Sequence, residues 1–76
     1  MSYSLQYAKD IFFEYKRKFI EKVNEYSQVK DRYPDLNLRD MAREIWRLGS
    51  LAEVWGMTAT KLSDGEEDYL DNWRVG

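Results

Sequence analysis

The sequence predicts an all-α fold, a long N-terminal helix with an antiparallel returning helix. Three observations carry that prediction: an uninterrupted helix-period seam, the single proline that ends it, and a second apolar stripe beyond the proline. Taken at alternating steps of three and four residues, the seam reads Leu5, Ala8, Phe12, Tyr15, Phe19, Lys22, Tyr26, Val29 and Tyr33, and only Lys22 is neither apolar nor aromatic. Neither Pro nor Gly interrupts it. The pattern predicts one helix over about residues 5–32.

The first helix has a cap at each end. Ser4 offers an N-cap oxygen, while Lys30 and Arg32 suit the negative pole of the helix dipole. Pro34 biases Tyr33 away from the helical conformation, so the helix should stop at or before Tyr33. Residues 33–37 then read as a turn, and a link that short returns the next helix antiparallel. Asn37 or Asp35 can cap that second helix. Over about 38–48, Leu38, Met41, Ala42, Ile45 and Leu48 share one face, and Arg39, Arg43 and Arg47 form a ladder on another.

Gly49-Ser50 predicts a break. Were the helix to continue, Leu51 and Val54 would turn toward the arginines, whereas Ser50-Leu51-Ala52-Glu53 matches a capping box that would start a new helix. A short helix at about 51–55, closed by Gly56 in a left-handed conformation, is therefore expected. Ser63-Asp64-Gly65-Glu66 repeats the capping pattern, with Asp64, Glu66, Glu67 and Asp68 near the positive pole of a last helix over about 64–74. That helix should dock on the hairpin through Trp73. Residues 1–76 are expected to form a single helical domain.

Size makes this hairpin depend on outside cover. A helix of roughly 28 residues is about 42 Å long, but a compact chain of 76 residues should be a sphere about 30 Å across with a radius of gyration near 11 Å. The ends of the seam would then overhang. Small cores are marginal without disulfides, a metal or oligomerisation. The chain has no cysteine and no histidine, which removes disulfides, Cys/His zinc sites, thiol nucleophiles and a Ser-His relay. Its carboxylates lack calcium-loop spacing and a context for tuning an acid–base pair. No metal, no cofactor and no enzymatic activity are expected. Homodimerisation and an unidentified protein partner are the expected forms of cover.

Six Tyr, three Phe and three Trp give the chain large rings to bury, so it is expected to fold despite its charge. No basic leader followed by an apolar stretch appears, and the apolar runs are only a few residues. The expectation is a cytoplasmic protein with no signal peptide and no membrane span.

The candidate interface consists of Ile11, Phe12, Phe13, Tyr15, Phe19, Ile20 and Trp46. Phe12, Tyr15 and Phe19 belong to the seam and serve equally as core. Ile11, Phe13 and Ile20 widen the apolar arc beyond what one returning helix covers. Trp46 lies between the apolar face and the arginines, where a flat ring with an N–H donor suits a contact. Lys16, Arg17 and Lys18 alternate with Glu14 and Glu21, the pattern of a solvated face.

A second class of function comes from residues 51–63. Ala52, Gly56 four residues later and Leu62 six beyond that, with apolar flanks, resemble the helix-turn-helix signature, in which glycine permits the sharp turn. The resemblance implies a DNA-binding regulator contacting the major groove through Thr58, Thr60 and Lys61. Charge opposes it. Residues 1–33 carry seven Lys/Arg against five Asp/Glu, while residues 34–76 carry five against nine. The acidic run from Asp64 to Asp71 would sit beside the phosphates and disfavour nucleic acid. That run suggests a weaker alternative, an acidic nucleic-acid mimic, or a strip for the arginine ladder to meet within the chain or across a dimer.

Overall fold

A computed structural model describes residues 4–71 together with Trp73 and Arg74. It contains two helices, α1 over Leu5–Arg32 and α2 over Arg39–Leu62, joined as an antiparallel hairpin. At the start of α1, the Ser4 hydroxyl accepts the Tyr7 N–H at 3.1 Å. At its end, the Tyr33 N–H donates to the Val29 carbonyl at 2.8 Å, and Leu36 N–H closes a turn onto Tyr33 at 3.1 Å. Pro34 occupies the second position of that turn, where its fixed φ fits. The N-cap position of α2 falls on Leu38, which offers no side-chain bond, and not on Asn37 or Asp35; Asn37, one residue earlier, still accepts the Arg39 N–H at 3.0 Å through its side-chain oxygen.

Where two helices were expected over 38–55, α2 is one helix, and the reason is tertiary. Gly49, Ala52, Gly56 and Ala59 recur at helical spacing and all are buried. They form a trough of small residues for the rings of α1. Phe12 is 1 % exposed and Phe19 7 %. A methyl group at Gly56 would stand 2.9 Å from the Phe12 ring and 2.5 Å from Leu70, and one at Gly49 would stand 3.0 Å from Phe19. The glycines therefore serve close approach, and Gly56 is not left-handed. Ring burial outweighs the helix penalty of about 1 kcal/mol per glycine, since burying a large side chain is worth about 1.5–3 kcal/mol. Ser50 and Glu53 make no capping box; Glu53 instead accepts from Arg74 at 2.8 Å.

The helix stops one turn after Ala59. Asp64 and Gly65 adopt positive φ of 56° and 78°, Asp64 N–H donates to Lys61 O at 3.1 Å, and Gly65 N–H donates to Thr60 O at 3.2 Å. This pair of bonds is a Schellman end. Ser63-Asp64-Gly65-Glu66 thus terminates α2 where it was expected to begin a helix. The Ser63 hydroxyl donates to Thr60 O at 2.8 Å and accepts the Glu67 N–H at 3.3 Å, leaving it no capping role.

Residues 66–71, 73 and 74 follow as a strap of bends and turns in place of the expected helix over 64–74; Asn72 within that span lies outside the described residues. Thr60 Oγ1 accepts the Tyr69 N–H at 3.1 Å, and Asp68 accepts the Leu70 N–H at 3.0 Å. So anchored, the strap lays Trp73 against Phe19 and Phe12, with ring centroids 5.0 and 6.0 Å apart, and Trp73 docks as expected. Arg74 covers the indole at 4.8 Å.

The molecule measures 46 × 23 × 13 Å, with a radius of gyration of 14.6 Å. It is a long hairpin, not the near-sphere with a radius of gyration of about 11 Å that length alone implies. Because α2 runs back along α1, most of the seam is covered within the chain. Burial is deepest at Ala8, Phe12 and Phe19; Leu5 and Tyr15 are half-buried, and toward the turn Tyr26 and Val29 are half-buried and Tyr33 is exposed.

Candidate interaction surface

A hairpin has two grooves between its helices. One is filled: the strap brings Tyr69 edge-on to Phe13 at 6.2 Å and to Phe12 at 6.1 Å. The opposite groove is lined by Tyr7, Ile11, Tyr15, Lys18 and Trp55, with Tyr7 edge-on to Trp55 at 5.9 Å. Ile11 and Phe13 therefore do not form one arc. Helical periodicity sends them to opposite flanks of α1, Ile11 to the open groove and Phe13 to the strap.

The remaining expected contact residues also separate. Phe12 and Phe19 lie in the intrachain core with Leu48, Ala52 and Trp73. They cannot meet a partner without opening the hairpin, which corrects their place among candidate interface residues. Ile20 and Tyr15 are half-buried against that core. Trp46 alone stands clear, 74 % exposed on the outer face of α2.

The unbroken α2 gives Trp46 company that was not anticipated. Residues four, seven or eight, and eleven positions on share its face, so Ser50, Glu53, Val54 and Met57 follow it along the outside. Val54 is 58 % exposed and Met57 52 %. With a break at Ser50, Val54 and Met57 would have left this face. The signal that could have placed them is the 3-4 recurrence of small residues from Gly49 to Ala59, which marks the inner face and so fixes the outer one.

Charges flank this face. Glu44 and Arg47 pair at 2.6 Å; the guanidinium hydrogen bond holds the Glu44 carboxyl below its usual range, and the carboxylate raises Arg47. Arg39 and Arg43 make no ion pair among the described residues. At the other end of α2, Asp64, Glu66 and Asp68 are exposed and likewise make no ion pair there. The helix between them is 24 residues, or about 36 Å at 1.5 Å per residue. The arginine ladder and the acidic run do not meet within one chain.

The helix-turn-helix expectation changes too. Residues 51–62 lie in one straight-through helix, so no turn at Gly56 sets off a groove helix. Thr58 donates its hydroxyl to the Val54 carbonyl at 3.0 Å and Thr60 holds the strap; Lys61 remains exposed. Among the described residues no cluster of three or more His, Cys, Asp or Glu could hold a metal. Neither helix is long and apolar enough to cross a membrane.

Fold and surface together define a strapped α-helical hairpin with an exposed tryptophan on the outer face of its second helix. No protein-family model matches the chain, and no characterised protein or solved structure is similar enough to count as a relative.

Proposed function

We propose that this chain is a small interaction or regulatory module of the cytoplasm that acts by binding protein through the outer face of α2, with Trp46 as anchor. The observation that carries the reading is the 74 % exposure of Trp46 beside exposed Val54 and Met57. An indole left in water forgoes the burial that makes Trp a frequent hot spot, and a contact there would recover it. Arg43 and Arg47 on one side and Glu53 on the other give the patch the polar rim of an interface.

The test is capture from the native cell with two baits, wild type and Trp46→Glu. The substitution lies on an exposed helical face, so circular dichroism should be unchanged. Wild type should retain protein, its own untagged copy included, that the variant loses. Identical captured sets from two folded baits would overturn the reading.

A further inference from the structure

We infer that the occupant of this face is a second copy of the chain, with the two α2 helices antiparallel about a two-fold axis between Leu51 and Ala52; the inference rests on the proposed use of the Trp46 face. Four observations converge on it.

The outer face of α2 follows a 3-4 repeat through Arg39, Arg43, Trp46, Ser50, Glu53 and Met57, the spacing at which one helix seats on another. A two-fold interface applies the same patch to itself, so each residue must suit its reflection. About the Leu51/Ala52 midpoint, Trp46 meets Met57 of the second copy, and Met57 meets its Trp46. A thioether against an indole edge is a favourable contact, and these are two of the most exposed apolar side chains on the helix. Ser50 meets Glu53, a hydroxyl donor to a carboxylate, close to the axis where a small residue lets the helices approach. Arg74, 2.8 Å from Glu53, supplies each axial carboxylate with a counter-charge.

Charge selects the same arrangement. Arg39 falls opposite Asp64 of the second copy, and the unpaired arginine end of one α2 lies along the acidic end of the other. These groups sit at opposite ends of the same helix, so only an antiparallel neighbour brings them together. A parallel pair would set ladder against ladder. Lys61 is the basic residue in the last turn of α2, and in this register it falls beside the small, exposed Ala42. A second copy therefore matches the face in both apolar and charged positions, which an arbitrary helix would have to imitate.

One helix face is a small interface, so dissociation on the order of micromolar or weaker is expected. Sedimentation from about 1 μM to about 1 mM should show a monomer–dimer equilibrium. Trp46→Glu and Met57→Glu should each weaken it by at least about tenfold with helicity unchanged, and added salt should weaken it further. Because the chain has no cysteine, orientation can be read by disulfide trapping. A mixture of single variants Ser50→Cys and Glu53→Cys should cross-link to each other in preference to either with itself. Preferred Ser50→Cys homo-cross-linking would overturn the antiparallel register. A dimer unaffected by Trp46→Glu would overturn the face. A wild type monomeric throughout, whose bait still loses a foreign protein on Trp46→Glu, would overturn the second copy and leave the broader reading standing.

Discussion

Gly49 and Gly56 look alike in the sequence, and their surroundings set them apart. Both sit inside a helix, where replacing Gly by Ala ordinarily gains about 1 kcal/mol. At Gly56 the added methyl meets Leu70 at 2.5 Å and Phe12 at 2.9 Å from opposing elements, so ring and strap would have to move together. Overpacking of this kind costs roughly 1–3 kcal/mol. Gly56→Ala is expected to lose up to about 2 kcal/mol net in chemical denaturation. At Gly49 the tightest contact is one edge of Phe19 at 3.0 Å, which a small ring tilt relieves. Gly49→Ala should be near neutral. Equal losses at both sites would mean that the glycines are not graded by ring contact as described.

Among the elements, the strap is the one whose described residues form no helix. Its attachment is polar at the near end, through Ser63 and Thr60, and aromatic at the far end, through Trp73. Tyr69 lies between them, where a hydrogen bond to Glu67, with some desolvation, pushes its hydroxyl up to about 12 from an ordinary value of 10.0. The folded chain thus holds this proton more tightly than the unfolded chain. The contribution is fully present below about pH 10 and is lost as pH rises through about 12. The thermal midpoint of wild type should therefore fall more steeply over that range than that of Tyr69→Phe. Parallel curves would show that the Glu67 contact does not help to hold the strap.

For the whole molecule, the decisive feature is that the hairpin covers its seam internally and leaves a different face bare. The overhang implied by a compact sphere is largely met by α2 itself, in a body 46 Å long. On α2 the part that stays in water is its outer face, a surface created by the helix continuing past Ser50. Anything that binds only the folded chain stabilises it in proportion to its occupancy. If pairing through Trp46 joins folding, the thermal midpoint of wild type should rise with protein concentration, and that of Trp46→Glu should not. A midpoint independent of concentration in both would count against coupled pairing.

Much of the fold was legible in the residues. The extent of α1, the Ser4 cap, the stop before Pro34 and the docking of Trp73 all follow from pattern and local chemistry. Most of these features depend on hydrogen bonds a few residues apart or on steric limits of the backbone, so they can be read before any packing is known. The residues also pointed to Trp46, because its place between an apolar stripe and a row of arginines puts the indole at the edge of the buried face. The continuity of α2 was not legible in the same way. A glycine beside a serine reads locally as a break, and the same glycine opposite a phenylalanine reads as a seat for its ring. The choice between them belongs to the packed hairpin, because the deciding contacts, Phe19 on Gly49 and Phe12 on Gly56, join residues far apart in the chain. That choice also fixed which side chains face outward after Leu48, and so placed Val54 and Met57 beside Trp46.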